Sequence, residues 1–181
     1  LIPRGILREP LSVLKRAAIL VLTHVNLVSP EELGKLKEKV ALLAPQAKIV
    51  ETLMEVLFLY RAKTKVRTAI EKMAGRRVAT FAAVGTPRSF QLVLQRFQLK
   101  TVRNFEFLDH HEYTKPELLK VKEVAQSSGS EEIITTEKDF YRSRELITET
   151  LNPLILAARL RVVSGEEILT DQLFRLLGVR S

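Results

Sequence analysis

The chain has 181 residues, a formal charge of +8, 46% apolar and 28% charged residues, and no cysteine. That is the composition of an ordinary globular protein, long enough for one good core or two small lobes, and it excludes a disulfide framework, a thiolate nucleophile and a zinc ribbon. The longest apolar run, Ala17–Leu22, is too short to cross a bilayer, and Arg4 and Arg8 flank no apolar stretch of signal-peptide length.

The chain begins at Leu1 rather than Met, so its natural start is expected upstream. Leu7–Arg16 reads as a short helix and Ala17–His24, rich in Ile, Val and Leu, as a buried strand. Ser29 is a good N-cap, Pro30 suits the first helical position, and Glu31 and Glu32 complement the helix dipole. That helix is predicted to run to Leu43, where Pro45 stops it. Lys48–Met54 reads as extended, with Val56–Tyr60 continuing or pairing with it. Thr64–Met73 is predicted helical, capped by Gly75. Arg77–Val84 is an apolar strand, and Gly85-Thr86-Pro87 turns the chain into a helix over Pro87–Phe97. Thr101–Leu108 alternates as a weaker strand. Thr114-x-x-Glu117 is a capping box for the next helix, and Gln126–Ser130 is a loop. Glu132–Thr136 is a strand feeding a helix from Glu137. Leu154–Val163 reads as a strand, and Glu166–Leu177 as a helix closed by Gly178.

This alternation predicts an α/β fold, a mainly parallel sheet with helices on both faces. Residues 46–62 read as an extended linker, dividing a segment 1–45 from an α/β lobe over 63–181. Charge is uneven: Arg61, Lys63, Lys65, Arg67, Lys72, Arg76 and Arg77 face a single Glu71 within residues 61–77. A solvated basic helix is the plain reading. The sharper one is a surface for anionic headgroups, which attract such segments by roughly 1 kcal/mol per cation. Nucleic acid is not expected, because aromatics are few and no binding motif is present.

In open parallel sheets ligands sit beyond the carboxyl ends of strands. Three strings fall at such places. In Phe107–Thr114, Asp109 and His110 lie at a strand end, and a carboxylate can fix the tautomer of an imidazole; His111 competes for the role. In Arg8-Glu9-Pro10, the guanidinium suits phosphate oxygens and the carboxylate a metal or its water, although a helix dipole alone favours that Glu. Thr135–Asp139 reads first as a capped helix start in which Lys138 makes an ion pair. Gly85-Thr86-Pro87 could cradle an anion. The chain contains no GxxxxGK[ST] P-loop and no G-x-S-x-G elbow.

Read in order, these strings resemble the lipid A 4'-kinase (tetraacyldisaccharide 4'-kinase) family. LIPRGILREPLSVLKRA is similar to its LLPAGPLREPLSRLKRAD-type segment and VATFAAVGTPRSF to its GIGNP-x-x-F turn, with Val84 and Thr86 for Ile and Asn. FEFLDHHEYT resembles FPDHHxFT, with Leu108 for Pro, and IITTEKD resembles TEKDAVK, with Phe140-Tyr141 where small residues are usual. The resemblance implies a C-terminal portion of a two-lobe, P-loop-NTPase-like (Rossmann-like) kinase whose P-loop domain is expected upstream. It implies ATP and Mg²⁺ as cofactors, tetraacyldisaccharide 1-phosphate as the lipid substrate, and work at an anionic membrane surface, the cytoplasmic face of the bacterial inner membrane. By the same resemblance Arg8 would neutralise phosphate charge, Glu9 and His110 would support Mg²⁺ or its waters, and Asp109 would orient His110. The fragment alone is expected to be inactive. The alternative is a non-catalytic α/β module that binds an anionic or phosphorylated partner.

Overall fold

The computed structural model describes residues 9–83, 85 and 87–178. The chain divides into two compact units, one taking residues up to Glu55 and from Leu160 on, the other Val56–Arg159. The long strands β2 (Lys48–Arg61) and β7 (Leu154–Ser164) contribute residues to both.

In the first unit, a 3₁₀ turn at Leu11–Arg16 precedes β1 (Ile19–Leu22) and helix α1 (Pro30–Leu43). The reciprocal capping box at Ser29 and Glu32 is formed as the sequence predicts, and Pro30 opens the helix. Such a cap contributes about 1 kcal/mol. β1 pairs in parallel with β2, Ile19 opposite Lys48 through Leu22 opposite Glu51. β1 ends the strand order among the described residues, so it is half-exposed rather than buried as its apolar composition suggests. Helix α6 (Glu166–Leu177) follows β7 through Gly165 at φ +79°. A Cβ there would stand 2.9 Å from the Ile49 carbonyl, so the turn needs glycine for space as well as for dihedral angle.

The second unit carries β3 (Arg67–Thr68), β4 (Arg77–Ala82), α2 (Pro87–Arg96), β5 (Lys100–Glu106), α3 (Lys115–Ser127), β6 (Glu132–Thr136), α4 (Glu137–Arg142) and α5 (Arg144–Thr150). Its strands lie in the order β2-β7-β6-β4-β5, and β7, β6, β4 and β5 are parallel. β3 is antiparallel to the end of β2. The central strand β4 is buried from Val78 to Ala82. Around it Phe81, Tyr113, Leu118, Val121, Phe140, Ile147 and Ile155 form the core. Thr80 and Thr135 are buried inside the sheet, and both hydroxyls are satisfied: Thr80 donates to Asn104 Oδ1 at 2.7 Å and Thr135 to the Phe81 carbonyl at 2.8 Å.

The sequence reading departs from the fold in further places, and the lobe expected over 63–181 ends at Arg159 as a compact unit. Residues 46–62, read as a linker, are mostly the single fourteen-residue strand β2, and the boundary between units falls inside it. Thr64–Met73, read as a helix, is a turn at Lys65 with φ +60°, the two-residue strand β3 and a 3₁₀ turn at Ile70–Met73. Its cations are not a solvated helical face. Arg61 makes a bidentate bond to Glu132 at 2.7 and 2.8 Å, Arg67 stacks over Phe58, and the Lys65 ammonium lies 4.3 Å from the Phe140 ring centre.

Candidate functional site

Chain order explains where a site should form in the second unit. From β4 the chain moves to β5 on one side, then crosses back to β6 on the other. The winding direction therefore reverses between β4 and β6, and a crevice opens there at the carboxyl ends of the strands. The turns leaving β4, β5 and β6 all lie on this edge. They carry Ala83 and Gly85, Asp109 to Tyr113, and Lys138 to Arg142, so three of the four strings singled out in the sequence come together.

Asp109 sits where two of these turns meet. Its Oδ1 accepts from Lys138 Nζ and from the His110 backbone N–H, both at 3.1 Å. A Cβ on Gly85 would lie 3.2 Å from its Oδ2. The Lys138 ammonium, helped by His110 and opposed by partial desolvation, holds the Asp109 carboxyl below the usual carboxylate range. The His110 ring is 74% exposed, and its Nε2 stands 3.7 Å from Asp109 Oδ2, an ion-pair distance rather than a hydrogen bond. Its backbone is left-handed at φ +65°, a conformation a non-glycine residue keeps only when its surroundings enforce it.

The two imidazoles, left as competitors by the sequence, have different surroundings. His111 stacks on Phe107 with ring centres 5.0 Å apart, packs edge-on to Tyr113, and its Nε2 lies 3.1 Å from both oxygens of Glu117. His111 is thereby a structural residue, and His110 is the one presented to solvent. Glu117 also closes the predicted capping box with Thr114. The Thr114 hydroxyl and backbone N–H, with His111, pull its pKa down to about 2. A depressed carboxylate stabilises the fold fully above its unfolded value near 4.5, and that contribution is lost as pH falls through about 2. The urea midpoint of Glu117→Gln should therefore fall below wild type at pH 6, with the gap closing between about pH 4.5 and 2. A gap independent of pH would assign the effect to packing instead.

Asp139, which the sequence offers only as part of a capped helix start, is wholly buried. It accepts from the Ala83 N–H at 2.9 Å, the Tyr113 hydroxyl at 3.0 Å and the Thr136 hydroxyl at 2.6 Å, with Arg142 Nη1 at 3.6 Å. Burial and the adjacent Asp139 push the Tyr113 phenol well above its usual range, so it remains a donor. Thr136 caps α4 as predicted, accepting from the Asp139 N–H at 3.2 Å.

Of the other residues singled out, Arg8 lies outside the described residues. Glu9 is exposed in the first unit, just before the 3₁₀ turn, whereas Asp109 and His110 belong to the second. Among the described residues no three His, Asp or Glu side chains gather into a metal-ligating group. Mg²⁺ prefers oxygen ligands, so an imidazole such as His110 suits it poorly, and the Lys138 ammonium beside Asp109 repels a cation there. The described residues thus do not fit a resident Mg²⁺.

The family model described as Tetraacyldisaccharide-1-P 4'-kinase matches residues 1–177. The chain belongs to that family. It is 35% identical over 166 residues to the tetraacyldisaccharide 4'-kinase of Anaeromyxobacter dehalogenans, covering 90% of this chain and 42% of that protein. With the kinase of Halothermothrix orenii it shares 32% identity over 148 residues, 77% of this chain and 38% of that one. The chain thus spans less than half the length of these curated relatives. The crystal structure of an "apo" form of the kinase LpxK from Aquifex aeolicus in complex with ATP superposes with a TM-score of 0.52 at 22% identity, over 97% of this chain and 47% of that one. That likeness supports the mainly parallel sheet and flanking helices of the kinase family fold. The signal that could have found Asp139 in the sequence is its place three residues after the N-cap Thr136, with Arg142 one turn further on.

Proposed function

We propose that the chain takes part in ATP-dependent phosphorylation of the 4'-hydroxyl of tetraacyldisaccharide 1-phosphate, as the lobe that meets the phosphates of the nucleotide. The observation that carries this reading is the convergence of Asp109, His110 and Lys138 at the point where the winding of the sheet reverses. Phosphoryl transfer asks mainly for positioning and for stabilisation of charge on the phosphoryl oxygens. Lys138 is half-exposed and its ion pair with Asp109 is open to solvent, so its ammonium can exchange one anion for another at little cost. His110, exposed beside it, supplies a donor that can follow charge as it moves to the leaving oxygens. The P-loop that would hold the β- and γ-phosphates is expected in a segment outside this sequence, and the reaction is expected at the cytoplasmic face of an anionic membrane.

The test is a kinase assay on the full-length protein with ATP and tetraacyldisaccharide 1-phosphate, following the 4'-phosphorylated product. Product from the full-length protein and none from residues 1–181 alone is the expected result. An inactive full-length protein, combined with tight binding of the lipid or of ATP by this chain alone, would replace the kinase reading with that of an anion-binding module.

A further inference from the structure

A helix start needs only the reciprocal cap between Thr136 and Asp139. The Asp139 carboxylate does more: its bonds to Ala83 and Tyr113 reach 56 and 26 residues away in sequence, into two other turns. Arg142, itself largely buried, extends the same pattern. Its Nη1 donates to the Ala83 carbonyl at 3.5 Å and to the His111 carbonyl at 3.4 Å. Each turn is therefore held at two points. The turn after β4 is gripped by both the N–H and the C=O of Ala83, and the turn after β5 by the His111 carbonyl and the Tyr113 hydroxyl. Asp109 and His110 directly precede the second grip, and Gly85 follows the first by two residues. The two turns approach so closely at Gly85 and Asp109 that any slip between them reaches the Asp109 carboxylate. The left-handed backbone of His110 also has to be enforced by its neighbours, and these grips lie beside it.

We propose that the Asp139–Arg142 pair is a positioning unit for the phosphoryl-transfer site, fixing the turns after β4 and β5 relative to each other so that Asp109 and His110 are held in register. The proposal rests on the kinase reading above. Neither residue is assigned a contact with substrate; both act through the turns they hold.

The test compares Asp139→Asn, Tyr113→Phe and, as a control, Ile147→Val in the full-length protein. Asparagine preserves size but removes the charge that strengthens the bonds from Ala83 and Tyr113 and the pairing with Arg142, so the hold on both turns weakens while the fold has a route to survive the change. Tyr113→Phe removes a single bond to the carboxylate and serves if Asp139→Asn is too unstable to purify. Ile147 is fully buried in the same unit, and the valine lowers stability while leaving every hydrogen bond of the hub in place. Misplacement of reacting groups by a fraction of an ångström to one ångström can cost on the order of 100-fold. Asp139→Asn should lose about that factor in kcat with KM for ATP little changed, Tyr113→Phe about tenfold, and Ile147→Val none once its urea midpoint is allowed for. Amide hydrogen exchange at Ala83 and His110 should speed up in the first two variants only. The proposal is overturned if kcat in Asp139→Asn falls no further than in the valine control, or if exchange at Ala83 and His110 is unchanged. An inactive wild-type enzyme would remove the kinase reading, and the exchange measurement would still decide whether the pair holds the turns.

Discussion

Replacing His110 by alanine in the full-length protein should lower kcat on the order of 100-fold, the usual cost of removing one preorganised donor to developing charge. Stability should change by no more than about 0.5 kcal/mol, because the ring is 74% exposed and makes no hydrogen bond to the core. The backbone conformation complicates alanine, which tolerates the left-handed region less well than histidine or asparagine does. His110→Asn answers that difficulty. Asparagine tolerates φ near +65° and keeps the turn, but it lacks the titratable ring. Equal loss of kcat in both variants, with unchanged urea midpoints, would place the imidazole itself in the reaction. Turnover near wild type in either would take His110 out of the mechanism and leave Lys138 and Asp109 as the groups to test.

The second large effect is on folding. Phe140→Ala should cost about 3–5 kcal/mol, a large part of the whole stability of an ordinary domain. Phe140 is fully buried, packs edge-on against Tyr60 with ring centres 6.1 Å apart, and carries the Lys65 ammonium over its face. Its removal would open a cavity between β2 and α4 and leave the Lys65 charge without the ring beneath it. Burial, with the nearby Arg144, already lowers the Lys65 pKa, so that charge has little slack. Urea unfolding at neutral pH gives the number directly. A loss under about 1 kcal/mol would mean that Lys65 and Tyr60 close over the space.

Elements whose instructions are local were legible. Ser29-Pro30-Glu31-Glu32, Thr114-x-x-Glu117 and Thr136 at the head of α4 each state a helix start within four residues, and each helix begins there. Strands β4, β6 and β7 were legible as apolar runs between turn residues. The failures came where partners lie far apart in sequence. Residues 64–73 look helical by composition, but Arg61 finds Glu132, Lys65 finds Phe140 and Arg67 finds Phe58, and those contacts fix a hairpin instead. The candidate site divided in the same way. Asp109 and His110 could be named from a strand end. The choice between His110 and His111 could not, because it depends on Phe107 and Glu117 occupying one ring and leaving the other free of them. Asp139 was invisible as a hub because its most distant partner, the Ala83 N–H, is a backbone group that no side-chain pattern reveals.

The two compact units differ in how their residues are drawn from the chain. Val56–Arg159 is one unbroken stretch, whereas the other unit joins residues before Glu55 to residues after Leu160. Synthesis delivers a chain from its amino end, and units fold as they are completed. The unbroken unit has every residue it needs once Arg159 has left the ribosome, with β4, β5, β6 and the Asp139 hub already in hand. The other draws on residues from both sides of it, so β1 and α1 are made well before the residues after Leu160 that share their unit. The turns of the candidate site can thus be in place on a nascent chain while the other unit still waits for its last residues.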